Sequence, residues 1–331
     1  MTSPEQPIDT ANALPNVERA VPTWLVRAPV GPWCPAEWLE HLDTVAPGLR
    51  APHDYAESLE ALGTRAVAGP WVLTVAARRG RLHAHRGDHR EDAECLLTFG
   101  TDWCAAIADG AGSAPWSRLG AAIATHVAAH ASRDELLRSA TTRGELPATM
   151  RVVAVAVNDA LRSFAERAGL ALRDLRTTLL VVAKYGEHVA LLQVGDGAIV
   201  LLNHARDATI PTTADAGEFS GEVTHFLPDD GAVERLCASI VVHSTQHVVG
   251  IIAATDGVED PWYPFARHGA ALLSQLEHGV FDANADVAGV RHTLRGPVLS
   301  AADPVQALMA WLAFEKRGEN DDRTLFVATR G

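Results

Sequence analysis

Residues 177–202 read TTLLVVAKYGEHVALLQVGDGAIVLL: three apolar runs, Thr177 to Lys184, His188 to Val194 and Ala198 to Leu202, separated by Tyr185-Gly186-Glu187 and Gly195-Asp196-Gly197. Aliphatic and β-branched runs of this length, bounded by Gly and acidic residues, predict strands. Connections this short cannot carry a parallel crossover, so the strands must pair antiparallel. Downstream, Glu222 to Leu227, Ala238 to His243 and Val248 to Ala254 continue the pattern, and Thr324 to Ala328 supplies a last strand. Upstream, Trp71 to Ala76, Cys95 to Phe99 and Trp103 to Ala108 read as strands. Two helices follow them: Pro115 to Ala131, with Leu119, Ile123, His126 and Val127 on one face, and Pro147 to Arg167, with Val152, Val155, Ala156, Ala160 and Phe164. Further helical stretches lie near Gly269 to Glu277 and Asp303 to Arg317. Strands grouped with strands and helices with helices predict a layered α+β sandwich and argue against a doubly wound sheet.

Nine prolines between Pro4 and Pro52 break up the first 68 residues, so helices there must be short. Residues 1–68 are therefore expected to be an extension, with Trp24, Trp33, Trp38 and Leu39 packing part of it on a main domain at 69–331. An insertion is expected at about 263–304. The 331 residues carry 28 Lys plus Arg against 41 Asp plus Glu, a net charge of −13, and only two cations are lysines. No basic run exists, which argues against duplex nucleic acid or an anionic membrane as partner. No apolar stretch approaches the roughly 20 residues of a membrane helix, and Met1 to Asn16 do not read as a secretion signal. Cys34, Cys95, Cys104 and Cys237 lack CxxC spacing and read as free thiols of a cytoplasmic protein.

Carboxylates fall at the strand ends. Asp109-Gly110 follows Trp103 to Ala108, Asp196-Gly197 follows His188 to Val194, and Asp256-Gly257 follows Val248 to Thr255. Glu91-Asp92 precedes the strand at Cys95, and Asp321 precedes the last strand. A single Asp-Gly is ordinarily a hairpin turn. Several carboxylates converging at one sheet edge need a cation to offset their desolvation, so together they imply a metal.

The ordered set REDA at 90–93, DGAGSA at 109–114, GDG at 195–197, TDGVED at 255–260 and NDDRT at 320–324 resembles the metal-dependent protein phosphatases of the type 2C serine/threonine class, in their bacterial form. The resemblance runs from about His83 to Thr329. It implies a four-layer α-β-β-α sandwich of two antiparallel sheets flanked by helices. It implies that Asp109 bridges two metal ions with the Gly110 carbonyl on one, and that Asp256 and Asp321 complete the first ion's shell. Glu91 and Asp92 would hold waters of the second, and Asp196 and Asp260 would join Asp256 around a weaker third. Two or three Mg2+ or Mn2+ ions suit such an oxygen-only set. The implied reaction is hydrolysis of phosphoserine or phosphothreonine in a protein by a metal-bridging hydroxide, with no protein nucleophile. Asp109, Asp256 and Asp321 are the residues on which that catalysis would rest. A phosphoprotein substrate and a partner Ser/Thr kinase are the implied partners.

Three positions depart from the wider family. Ala111 stands where eukaryotic members place a proton-donating histidine that bacterial members also lack, which leaves a metal-bound water or one of His83, His85 and His89 as the candidate general acid. Gly87 stands where many carry a phosphate-binding arginine, which leaves Arg86 and Arg90 as candidates for the fork. Asp322 stands where Asn often follows the last metal aspartate. These departures keep open an alternative, a catalytically weak or inactive pseudophosphatase that binds phosphoproteins or regulates a kinase.

Other chemistry is disfavoured. His83-Ala84-His85 alternates like a strand and with His89 could face one zinc, but a solvated loop is the expected reading. DGAGSA lacks the third glycine of a dinucleotide loop and runs into Pro115, no P-loop lysine pair is present, and Ser113 has no partner histidine. Trp116, Trp262 and Trp311 are expected in core or rim packing. Specificity is expected to reside in the extension and the insertion, since the acidic site itself would recognise only phosphate.

Overall fold

Strands that are apolar on both sides need a covering layer on each face, and the central strands here are of that kind. The computed structural model describes residues 27–50, 60–138, 144–213, 225–279, 290 and 296–331. In chain order the strands are β1 (Ala61–Ala68), β2 (Trp71–Arg78), β3 (Ala93–Phe99), β4 (Asp102–Ala108), β5 (Leu179–Tyr185), β6 (His188–Val194), β7 (Ala198–Asn203), β8 (Ala208–Thr209), β9 (Val241–Ser244), β10 (Val248–Ala254) and β11 (Arg323–Arg330). They form a six-stranded sheet, β1-β2-β11-β10-β7-β8, and a five-stranded sheet, β3-β4-β5-β6-β9. Every strand pairing is antiparallel, as the short connections require.

The period-two alternation of each strand divides the core into three clusters. Trp103 and Ile107 of β4, Leu180 and Val182 of β5 and Phe326 of β11 point between the sheets. Their neighbours Cys104, Ala106, Leu179 and Val181 point the other way, toward the helices α3 (Ser117–Arg138) and α4 (Leu146–Ala168). Leu325 and Val327 of β11 and Ile252 and Ala254 of β10 face a second helical layer, α7 (Phe265–His278) and α8 (Pro304–Trp311). The order is helix, sheet, sheet, helix, the expected four-layer α+β sandwich. Trp103 anchors its centre, with ring centroids 5.9 Å from Trp71 and 5.5 Å from Phe326.

The segment before the expected boundary at 69 is only partly described. Ala61–Ala68 pair along their whole length with β2 as an edge strand. A short helix, α1 (Leu39–Val45), buries Leu42 in the core under α3 and α4. Trp38 stacks edge-on with Trp116 at 4.7 Å and with Phe164 at 6.2 Å. Trp24 lies outside the described residues, as do residues 222–224 of the strand expected at Glu222 to Leu227, of which Leu227 forms an isolated bridge to Thr177. Residues 280–289 and 291–295 of the expected insertion also lie outside them. Trp262 and Trp311 are buried, stacked at 5.9 Å.

Three local expectations are corrected. His83-Ala84-His85 is not extended: it lies in α2 (Arg81–Arg86), which the αL residue Gly87 (φ 80°) closes by donating its N–H to the His83 carbonyl. The strand expected from Ala238 starts only at Val241, because α5 (Ala232–Ala238) runs up to it. The last helix stops at Trp311 instead of Arg317, and Gly318 at φ 94° sits in a turn closed by the Lys316 to Glu319 bridge.

Candidate metal centre

The sandwich brings strand ends from both sheets to one place. Asp109 leaves β4, Asp196 lies in the β6–β7 turn, and Asp256 opens α6 (Asp256–Glu259) after β10. Glu91 and Asp92 lead into β3, and Asp321 and Asp322 lead into β11. Carboxylate oxygens of Asp109, Asp196 and Asp256 lie within 4.8 Å of one another. Asp92 ties the sheets together: its Oδ2 accepts the Thr255 hydroxyl at 2.9 Å and the Thr324 hydroxyl at 2.6 Å.

The backbone around Asp109 is fixed on every side. Its N–H donates to Thr178 Oγ1 at 2.9 Å, and its carbonyl accepts the Thr177 hydroxyl at 2.9 Å and the Thr178 N–H at 2.8 Å. Gly110 is required there, because a Cβ would meet Ser117 at 2.8 Å and the Glu91 carbonyl oxygen at 3.0 Å. Gly257, next to Asp256, is likewise closed to side chains, since a Cβ would collide with the Asp322 carbonyl oxygen.

Crowded carboxylates taken out of water resist ionisation. Burial, then the charges of Asp256 and Asp92, hold Asp109 well above the usual carboxylate range. Burial, then Asp196 and Asp321, do the same for Asp256. Asp92 is pushed up to about 7 by burial and Asp322, and Glu91 to about 7 by burial, which His83 opposes. Asp196 rises to about 6 through burial and then Asp260 and Asp321, so Asp260 belongs to the same field. Asp260 is itself raised, chiefly by desolvation. Asp321 is exposed, and its Oδ1 accepts the Asp322 N–H at 2.9 Å.

A divalent cation fits this donor set. Asp92 Oδ1 and Asp256 Oδ1 are buried and have no hydrogen-bond partner among the described residues. Unpartnered buried carboxylate oxygens facing further carboxylates are what a bound cation satisfies. The set is all oxygen, the preference of hard ions such as Mg2+ and Mn2+.

The other sequence candidates are placed differently. Arg90 donates through Nε to the Asp92 carbonyl at 3.0 Å and through Nη1 to the Ala77 carbonyl at 3.4 Å. Arg86 and His85 are exposed on α2. His89 sets Nε2 3.2 Å from the Gly31 carbonyl, and burial followed by Arg118 lowers its pKa to about 4, so it is neutral. His83 Nδ1 lies 3.0 Å from Asp322 Oδ1, and its Nε2 is 3.9 Å from Glu91 Oε2. Burial opposes protonation of His83, but the Asp322 contact outweighs it and raises the pKa to about 9. These three histidines do not share a metal-ligating cluster among the described residues.

Sequence reasoning passed over several members of the site. Asp322 is fully buried and accepts the Gly80 and Glu91 N–H groups at 2.5 Å each. Glu259, raised to about 7 by burial and by Asp260, adds another carboxyl beside Asp196. Arg118 approaches Glu91 electrostatically while its Nε donates to the Trp33 carbonyl at 2.8 Å. In the sequence, Thr255 and Thr324 are marked only as the outermost residues of two acidic motifs.

Among solved structures, the S. agalactiae serine/threonine phosphatase shares 16% identity and a TM-score of 0.51, covering 79% of this chain and 100% of its own. That likeness places this chain in the same fold. The Mycobacterium tuberculosis serine/threonine phosphatase PstP/Ppp gives 14% identity, a TM-score of 0.47 and coverage of 78% and 98%. Stp1 from Staphylococcus aureus gives 16%, 0.47, and coverage of 82% and 95%. No curated protein matches the chain. The family model described as protein phosphatase 2C matches residues 79–288, a span that holds α2 and the carboxylates from Glu91 to Asp260. With more than half of its length inside that match, the chain belongs to the protein phosphatase 2C family.

Proposed function

We propose that this chain is a Mg2+- or Mn2+-dependent protein serine/threonine phosphatase. The observation that supports the reading best is the convergence of Asp109, Asp196 and Asp256 with the unpartnered oxygens of Asp92 and Asp256 beside them. Asp109, Asp256, Asp321 and the Gly110 carbonyl would hold the principal ions, with Glu91, Asp92, Asp196 and Asp260 completing the set. Bound divalent cations would supply Lewis acidity at the phosphoryl group and at the attacking water. Thr255 and Thr324 orient Asp92 by donating to one oxygen, which leaves the other facing the cluster. Asp322 holds the Glu91 backbone in place. His83, raised to about 9 by its contact with Asp322 and set 3.9 Å from Glu91, is assigned the proton for the departing alkoxide. The substrate is a phosphoprotein, and a Ser/Thr kinase acting on the same protein is the partner this reading implies.

Hydrolysis of p-nitrophenyl phosphate with added Mn2+ tests the reading. The parent should turn over only with metal, and Asp109→Ala and Asp256→Ala should each lose about a hundredfold or more in rate. Equal rates in parent and variants would refute it. One observation favours a second reading, a phosphoprotein-binding module without turnover: Arg90, a candidate phosphate fork, has its Nε and Nη1 engaged by backbone carbonyls. That reading requires partner binding with no uptake of Mn2+ by calorimetry.

A further inference from the structure

Away from the acidic centre, on the helix-facing side of the five-stranded sheet, a different donor set comes together. His126 and His130 are one helical turn apart on α3, their rings stacked at 4.1 Å with an interplanar angle of 29°. Cys95 of β3, a free thiol, lies against this helical layer. One ligand atom from each of Cys95, His126 and His130 falls within 4.8 Å of the others. We infer that Cys95, His126 and His130 form a second metal site, built for a borderline-soft cation of the Zn2+ class.

Two observations beyond proximity point to a ligand. His126 donates from Nε2 to the Pro47 carbonyl at 2.9 Å, because a carbonyl can only accept. That fixes the tautomer and leaves Nδ1 with its lone pair, the arrangement in which a backbone carbonyl orients a metal-bound imidazole. Both rings are also neutral at pH 7: burial, above all, lowers the pKa of each, and Arg133 adds to it. Two neutral imidazoles one turn apart with a sulfur beneath them match the nitrogen and sulfur preference of Zn2+ and not that of Mg2+.

The charged and titratable groups around the three are Glu94, Cys104, Asp134 and Arg133, the last paired with Asp134 at 2.7 Å. Burial, then Glu94, pushes the Cys95 thiol up to about 12, so it is protonated when metal-free. On binding, the S–H bond breaks, its proton passes to solvent and the thiolate lone pair forms the sulfur–metal bond. Three protein ligands leave a fourth position for water or an exogenous donor.

This inference does not rest on the phosphatase reading, and its test reads no phosphatase activity. The reduced full chain, with its acidic centre saturated by Mg2+, is titrated with Co2+ as a spectroscopic stand-in for Zn2+. The parent should develop a thiolate-to-cobalt charge-transfer band in the near ultraviolet. Cys95→Ser should abolish the band, and His130→Ala should weaken Co2+ binding roughly tenfold or more. Near-ultraviolet circular dichroism checks that each variant is folded, and His130→Ala, at a half-buried position, decides the matter if Cys95→Ser fails to fold. No band in the parent at saturating Co2+, or a band at unchanged affinity in His130→Ala, overturns the assignment.

Discussion

Asp321 and Asp322 are adjacent in sequence and do different work. Asp321 is exposed at the acidic centre, whereas Asp322 is buried and joins the Gly80 N–H, the Glu91 N–H and His83, groups drawn from the start of α2, its middle and the loop that follows it. Burial alone would raise the Asp322 pKa, but the His83 charge and the two backbone donors outweigh it and lower the carboxyl from its ordinary 3.8. Removing one member of a buried pair leaves the other uncompensated, so Asp322→Ala should cost about 3–5 kcal/mol in urea unfolding at neutral pH. The pH dependence has a definite sign. His83 is raised from 6.5 to about 9, so its share of stability is complete below pH 6.5 and is lost as pH rises through about 9. The gap between the parent and Asp322→Asn, which keeps an acceptor for the backbone, should therefore narrow as pH rises from 6.5 to about 9 and stay level above that. A gap that stays constant from pH 6 to pH 10 would remove the ion pair as its cause. Little of this is legible in the sequence. Asp322 looks like a variant of its neighbour, because the groups that define it lie 242 and 231 positions away. Thr255 and Thr324 are hidden for the same reason, reaching Asp92 across 163 and 232 positions.

The elements themselves were readable wherever both faces are buried. β4, β5, β6 and β10 are dominated by apolar residues because a layer covers each side, and β4, β6 and β10 run out close to Asp-Gly pairs. β1 escaped because it is an edge strand with Thr64 and Arg65 in its middle and an exposed face. α2 escaped because its alternating histidines mimic a strand, and its helical form depends on tertiary contacts at Gly80 and Gly87. The convergence of strand ends has a thermodynamic consequence. Glu91, Asp92 and Asp196 ionise at about 7, 7 and 6 when folded, above their ordinary 4.5, 3.8 and 3.8. Between roughly pH 4 and pH 7 the metal-free folded protein therefore binds more protons than the unfolded chain, and its stability falls as pH rises. Thermal unfolding in chelator should show Tm decreasing across that window. Saturating Mn2+ should flatten or reverse the slope, since a cation takes the place of the protons. A chelated protein whose Tm climbs from pH 5 to pH 7 would mean that these carboxylates do not face one another.

Across the whole molecule, the net charge of −13 is distributed with purpose, since seven of the 41 acids, Glu91, Asp92, Asp109, Asp196, Asp256, Asp260 and Asp321, are assigned to one site. What braces that site from outside comes from the proline-rich segment. Arg27 donates its N–H to the Ala84 carbonyl at 2.8 Å and Val30 to the Gly87 carbonyl at 2.9 Å, so the segment runs along α2. In return its own carbonyls receive Arg79 at Arg27 (2.8 Å), His89 at Gly31 (3.2 Å) and Arg118 at Trp33 (2.8 Å). Prolines and glycine leave these backbone groups without regular secondary structure, which is why they are available to the neighbouring side chains. Deleting residues 1–33 spares α1 and β1 but removes all five contacts. The truncated protein should stay folded, need several-fold more Mn2+ for half-maximal hydrolysis of p-nitrophenyl phosphate, and lose activity on a phosphoprotein at least as strongly. Extending the deletion to residue 68 should instead give insoluble protein, because stripping β1 uncovers the full edge of β2. If the 1–33 deletion left the Mn2+ response untouched, the segment would act on substrate choice alone, and the brace through α2 would carry no energy to the metal centre.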